Sequence, residues 1–239
     1  MTTVDLVFPV GGESLPTDHA YLLYSALSRA VPDFHTPDGG LRFAPINGEP
    51  AGPGVLRLFR PTPARPHFSS VLRVRAASDR IETAFPLSGR ALPVGEHSIR
   101  LGPPRVEQLQ PVPTLRAGFV TFKDFGIPCQ RSVRRHPELA ARRNMPREEE
   151  PAHFIETAAR RLKELKIEAE PGIPRNEKGA RAGEPRRRIV HIKGKKIVGY
   201  PLIVQGLMAD ESIRLQEVGL GGRTRIGCGF FVPYRERAP

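Results

Sequence analysis

Apolar positions change their spacing repeatedly along this chain, and each change predicts an element. Val4 to Val10 (VDLVFPV) is a compact apolar run closed by Gly11-Gly12, which predicts a strand. Beyond Pro16-Thr17-Asp18 the apolar residues recur as Ala20, Leu23, Tyr24, Leu27 and Val31, the stripe of an amphipathic helix with Thr17 as its expected N-cap. Pro32 cannot continue that helix, so Asp33 to Pro37 is expected to be a loop. Short runs bounded by Gly or Pro predict strands at residues 55–59, 70–74, 81–85 and 97–101.

Pro111-Val112-Pro113 has the character of a linker, after which Gly118 to Phe122 starts a second series. A helix is expected from about Pro151, with Ile155, Ala158, Leu162 and Leu165 on one side and Arg160, Arg161, Lys163 and Lys166 largely on others. Residues 171–185 read as a loop. Residues 187–192 and 197–204 then form two strands with a basic connection, Lys193-Gly194-Lys195-Lys196. Asp210 to Val218 suits a helix ended by Gly219, and residues 228–232 suit a last strand.

Strand, helix, strand, strand, helix, strand is the ferredoxin-like order, and the first half approximates it too. The expected architecture is therefore α+β, with two tandem ferredoxin-like (βαββαβ) domains. They cover residues 1–112 and 113–239, and a basic insertion near residues 131–150 lies in the second.

Composition narrows the classes of function. A chain of 239 residues with 39% hydrophobic and 26% charged positions has enough apolar surface for a core, which argues against wholesale disorder. Cys129 and Cys228 provide neither a disulfide framework nor a zinc quartet, and no cofactor is implied. No apolar stretch is long enough to span a membrane, and no basic-then-apolar leader opens the sequence, so the cytoplasm is the expected compartment.

Charge changes the picture most. The formal net charge is +12, and residues 131–200 hold 19 Lys and Arg against 10 acids, nine of that excess. Arg142, Arg143, Arg160, Arg161, Arg186, Arg187, Arg188, Lys193, Lys195 and Lys196 all fall in this stretch. Concentrated positive charge, with Arg outnumbering Lys, is the footprint of a phosphate-binding surface; a solvated basic face is the plainer alternative. The densest motif lies further on, where Gly219, Gly221, Gly222, Gly227 and Gly229 surround Arg223 and Arg225. Glycines permit positive φ and close approach of backbone N–H groups to an anion, or simply a tight helix-to-strand connection. The motif follows a helix and leads into a strand, the reverse of a dinucleotide-binding turn. Arg116 to Phe122 partly echoes the stacking strand of RNA-recognition domains but lacks the cation at the required offset.

The run from Gly219 to Phe231, GLGGRTRIGCGFF, resembles the glycine-rich signature of the CRISPR RNA-processing endoribonucleases of the repeat-associated RAMP superfamily. Asp5 to Val10, Leu15-Pro16, Asp18-His19, Tyr21, Leu23-Tyr24 and Ala26-Leu27-Ser28, with Pro32 and His35, are similar to its MYXAN subtype, as is Glu211 to Glu217. The resemblance implies metal-independent cleavage of precursor CRISPR RNA within the repeat, at the 3′ side of its hairpin. The ends would be a 2′,3′-cyclic phosphate and a 5′-hydroxyl. It also implies retention of the product and partnership with other subunits of an interference complex. A non-catalytic RNA-binding subunit of such a complex is the alternative.

Attack of a 2′-hydroxyl on the adjacent phosphate needs a base, an acid and cations for the developing charge. An imidazole titrates near pH 6.5 and can serve in either transfer. His35, in the loop after the first helix, stands where this family places its catalytic histidine. Tyr24, Arg29 and Arg42 are the accompanying candidates, and a plain surface histidine is the competing reading. Of the glycine-rich positions, Gly221, Gly222, Arg223, Arg225, Gly227 and Gly229 are the expected RNA contacts.

Overall fold

A computed structural model describes residues 2–36, 40–64, 68–122 and 146–234. It divides into two compact units, Met1–Leu109 with Thr224–Gly227, and Gln110–Arg223 with Cys228–Pro239. Among the described residues, no helix is long and apolar enough to cross a membrane.

The first unit opens on β1 (Thr3–Gly11), followed by β2 (Ser14–Pro16), α1 (Ala20–Ala30), β3 (Arg42–Phe43), β4 (Gly48–Pro50) and β5 (Val55–Leu58). β6 (Val71–Ala77), β7 (Ala91–Val94), β8 (His97–Leu101) and β9 (Arg105–Gln108) complete it. The main sheet runs β3-β6-β1-β8-β7, with β9 also pairing β1, while β2, β5 and β4 form a small separate sheet. The path β3-β6-β1-β9 is the second, third, first and fourth strand of a ferredoxin-like unit. Leu6, Phe8 and Val10 of β1 alternate inward and meet Leu23, Ala26 and Leu27 of α1 in one core.

The opposite face of this sheet carries an ion network. Asp5 stands in register between Arg75 on β6 and Glu107 on β9. Arg75, 1% exposed, grips Asp5 with both arms of its guanidinium, Nε to Oδ1 at 2.7 Å and Nη2 to Oδ2 at 2.9 Å. Arg73 donates to Glu107 at 2.6 Å and approaches Asp5 at 3.4 Å. Partial burial works to raise the Glu107 carboxyl's proton affinity, but hydrogen bonds from Arg73 and Arg105 and their charges outweigh it, holding the group below its ordinary range.

The second unit contains β10 (Thr114–Val120), α2 (Glu150–Glu164), β11 (Glu170–Gly172), β12 (Arg188–Ile192), β13 (Lys195–Gln205), α3 (Ala209–Val218) and β14 (Phe231–Pro233). Its sheet order, β11-β13-β10-β14, is the ferredoxin-like order without substitution. Leu115 and Ala117 of β10 share a core with Leu202 and Val204 of β13, Phe154, Ala158 and Leu162 of α2, and Leu215 of α3. The β12–β13 hairpin turns on Lys193 (φ 49°) and Gly194 (φ 75°), two residues of positive φ, the geometry that matches strand twist.

Three expectations are corrected. Residues 81–85 are not a strand, because Ser78–Leu87 forms a 3₁₀ helix that buries Ala84 and Leu87 where the second helix of the unit would lie. Thr17 does not cap α1, which starts at Ala20 after His19. His19 is buried, receiving a hydrogen bond at Nε2 from the Ile46 N–H (3.0 Å) and donating from Nδ1 to the Pro16 carbonyl (2.8 Å), so it ties the helix start to a loop. The final strand begins at Phe231 rather than Cys228, since the last turns of the glycine-rich run stay irregular. The expected insertion at residues 131–150 lies outside the described residues up to 145.

Candidate functional site

The helix-breaking Pro32 does more than end α1. Pro32–Phe34 is a single 3₁₀ turn, closed by the His35 N–H donating to the Pro32 carbonyl at 2.8 Å. Phe34, 1% exposed, plugs into the core edge-on to Phe43, with ring centroids 6.2 Å apart. A buried aromatic directly before His35 thus anchors the loop and leaves the imidazole exposed at the surface. This brings His35 Nδ1 to 3.0 Å from the hydroxyl of Tyr24, on α1 and 11 residues back in sequence. Tyr24 packs against the core along its ring and meets the imidazole with its polar tip, the division of labour expected of tyrosine.

Arg225 completes the arrangement within the same unit. Thr224–Ile226 is a 3₁₀ turn belonging to the first unit, and Arg225 Nη1 donates to the His35 carbonyl at 3.1 Å across 190 residues of sequence. The turn can lie there because Gly227 (φ 82°) has no side chain; a Cβ would come within 2.9 Å of Pro45 and 3.2 Å of the Phe43 carbonyl. The sequence motif suggested an RNA contact for Arg225, and its contact in the structure is to the candidate catalytic loop. Arg29, in the last turn of α1, donates from Nε to the Ser25 carbonyl at 3.3 Å, and Arg42 stands on β3 in register with Arg75.

In the second unit the basic residues sort by the alternation of strand and helix faces. Arg160 is exposed on α2, while Arg161 pairs with Glu164 at 2.8 Å. Arg187 points toward α2, donating to Glu150 at 2.9 Å; the same carboxylate oxygen accepts the Tyr200 hydroxyl at 2.8 Å. Burial, followed by the Glu150 hydrogen bond and charge, pushes the Tyr200 phenol well above its ordinary range, so it stays a neutral donor. Arg187 is therefore committed to the fold. Arg186 and Arg188 are exposed, as are Lys193, Lys195 and Lys196 at the hairpin tip. Arg142 and Arg143 lie outside the described residues.

The glycine-rich run is largely consumed by its own packing. The Gly222 N–H donates to the Thr121 carbonyl at 2.7 Å and the Gly229 N–H to the Phe119 carbonyl at 2.8 Å. Gly221 (φ 90°) is exposed, Gly222 half-buried, Arg223 exposed with φ 61°, and Gly227 and Gly229 are buried. A Cβ on Gly229 (φ 65°) would collide with the Leu220 carbonyl. Gly229→Ala is accordingly expected to destabilise the protein by at least about 2 kcal/mol in a urea melt, combining left-handed backbone strain with overpacking. An unchanged midpoint would show that the turn can relax. Beside this turn, Phe122, Arg161, Glu164, Leu165, Leu220 and Gly221 line a cleft of about 300 Å³.

Two ferredoxin-like units, one presenting an oriented histidine and the other an exposed basic hairpin, define an α+β protein of the tandem ferredoxin-like class. The chain belongs to the Cas6 family: the family model described as Cas6 Crispr matches residues 4–236. It is 36% identical over 233 residues to a protein of Myxococcus xanthus (strain DK1622) named CRISPR-associated endonuclease Cas6, covering 98% of this chain and 82% of that one. Among solved structures it is similar to a CRISPR associated protein Cas6, with a TM-score of 0.57 at 12% identity over 98% of this chain and 99% of the other. A structure titled as a RAMP protein binding different RNA substrates also gives 0.57, at 13% identity over 97% and 98%. A Cas6-related protein from Pyrococcus furiosus gives 0.53, at 11% identity over 99% of each chain.

Proposed function

We propose that this protein is an endoribonuclease that cleaves precursor CRISPR RNA within the repeat, using His35 as the proton-transferring group. The observation that carries this reading is the Tyr24–His35 hydrogen bond at 3.0 Å, in a chain of the Cas6 family. With Nδ1 engaged by the phenol, the imidazole presents Nε2 to a substrate. When Nδ1–H donates to the Tyr24 oxygen, Nε2 has a free lone pair in neutral His35 and a transferable proton in the imidazolium. One geometry therefore serves either transfer, removal of the 2′-hydroxyl proton or protonation of the 5′-oxygen leaving group. Attack of the 2′-oxygen forms the new P–O bond as the bond to the 5′-oxygen breaks, leaving a 2′,3′-cyclic phosphate and a 5′-hydroxyl. No step in this sequence calls for a metal ion.

The reading extends to partners. The exposed Lys193, Lys195 and Lys196 tip and Arg160 supply charge for the phosphates of a repeat hairpin, whose A-form shape is recognised through its backbone. Mature guide RNA and other subunits of an interference complex are the further partners this implies. The test uses a labelled repeat RNA and a copy with a 2′-deoxynucleotide at the cut, both in EDTA. The native protein is expected to cut the first and leave the second intact, with a cyclic phosphate on the upstream product. Binding without cleavage of the all-ribose RNA would instead make it a non-catalytic RNA-binding subunit. Cleavage of the deoxy substrate would overturn 2′-hydroxyl attack.

A further inference from the structure

On one face of the second unit's sheet and at its edge, three guanidinium groups gather with no acidic partner among the described residues. Arg116 is an outward residue of β10, whose neighbours Leu115 and Ala117 point into the core. Arg188 lies opposite Gly199 in the β12–β13 ladder, on the face that β13 shares with Ile203, the register partner of Arg116. Arg186 stands in the tight turn just before β12, where the Arg187 N–H donates to the Pro185 carbonyl at 2.9 Å, and its charge acts on Arg188, whereas Arg187 turns to Glu150.

The way Arg116 and Arg188 are held differs from that of the ion-paired arginines of the same unit. Arg161, Arg187 and Arg214 are each neutralised by a carboxylate at 2.8–2.9 Å. Arg188 instead donates Nη1 to the Gly118 carbonyl at 2.9 Å, and Arg116 lies over the Tyr234 ring at 6.0 Å from its centroid. Both anchors are neutral: they fix direction and leave the charge uncompensated. Gly118 is two residues from Arg116 along β10, so Arg188 is tethered to the strand that carries Arg116. Among the described residues no salt bridge involves Arg116, Arg186 or Arg188. Arg188 keeps part of its side chain exposed, yet desolvation of its guanidinium first, and then the positive charges of Arg186 and Arg116, lower its proton affinity, so the neighbouring cations add to the shift without dominating it.

Like charges held close together repel, and an anion seated between them relieves that repulsion. Fixed, planar donors in a shared field suit the oxygens of a phosphodiester, which accept paired N–H bonds. We propose that Arg116, Arg186 and Arg188 form a backbone-phosphate site for the bound RNA on the open face of this sheet. The site is separate from the lysines of the hairpin tip and excludes Arg187.

This inference rests on the RNA-binding part of the proposed function, and its test distinguishes the two. Anisotropy titrations of the uncleavable 2′-deoxy repeat RNA are run from about 50 mM to about 200 mM salt with the native protein, Arg116→Ala/Arg188→Ala, and Arg116→Lys/Arg188→Lys. Each lost phosphate contact removes about 0.7–0.9 from the slope of log affinity against log salt. The affinity of the alanine variant is therefore expected to fall about tenfold less than the native one across that range, while the lysine variant keeps most of the native slope. An alanine variant with native slope and affinity overturns the site as an RNA contact, and an acidic protein surface would then be its counterpart. Native protein that fails to bind the RNA overturns the functional reading as well. Equal melting temperatures for the three proteins separate a lost contact from a lost fold.

Discussion

His35→Ala is expected to slow single-turnover cleavage of repeat RNA by about 10²- to 10⁴-fold, the range over which a positioned acid or base acts. Affinity for the uncleavable RNA should stay within a few-fold of native, because the exposed imidazole is one group among many basic contacts. The loop should survive the change, since its anchors are elsewhere: Phe34 is buried beside Phe43, the Pro32 carbonyl accepts the His35 N–H, and Arg225 holds the His35 carbonyl. None of these contacts uses the imidazole. The large effect should therefore appear in the rate and not in the melting temperature. A His35→Ala protein that cuts within threefold of the native rate would remove His35 from the chemistry and move attention to Arg29 and Arg42.

Asp5→Ala is the change expected to cost most in stability, about 3–5 kcal/mol, the usual penalty for stranding one partner of a buried ion pair. Arg75 is 1% exposed and its described carboxylate partner is Asp5, held through two short hydrogen bonds. Removing Asp5 leaves a guanidinium on a sheet face where water cannot easily reach it. Arg73 would lose its 3.4 Å approach to Asp5 but keep Glu107 at 2.6 Å, so the damage should centre on Arg75. Urea unfolding followed by circular dichroism measures this, and a loss below about 1 kcal/mol would mean that the remaining contacts of Arg75, or water, make up for the lost carboxylate. Replacing Asp5 and Arg75 together with apolar residues of similar size should recover much of the loss, since a buried pair is dear to break and cheap to exchange.

Asp5 also shows what could and could not be read from the chain. It entered the sequence comparison as one letter of an N-terminal motif, and nothing local announced that it sits between two strands arriving about 70 and 100 residues later. The periodic elements were legible: the α1 stripe, the basic helix, the Lys193-Gly194 hairpin and α3 with Gly219 at its end all follow from nearest-neighbour chemistry. Residues 81–85 misled because a short apolar run bounded by turn formers does not by itself distinguish strand from 3₁₀ turn, and Pro86 and the packing of Ala84 and Leu87 decided it. At the candidate site, His35 and Tyr24 were both visible as residues, but their pairing depends on how tightly Pro32–Phe34 folds back. Phe34, an apolar residue in an expected loop, was the overlooked signal for that anchor. Arg186 to Arg188 read as one charge block, and the structure splits it, pairing Arg187 with Glu150 and leaving Arg186 and Arg188 exposed.

Arg225 reaches the His35 carbonyl from a turn that joins the first unit only after nearly all of the second has been threaded. Chains emerge from the ribosome N-terminus first, so residues 1–109 can begin folding long before Thr224–Gly227 exists. The histidine loop then waits, without its clasp, until the tail returns. A nascent chain carries the imidazole early but acquires the clasp on its loop only once residues 224–227 have been made, which leaves a truncated first unit short of one of its own supports.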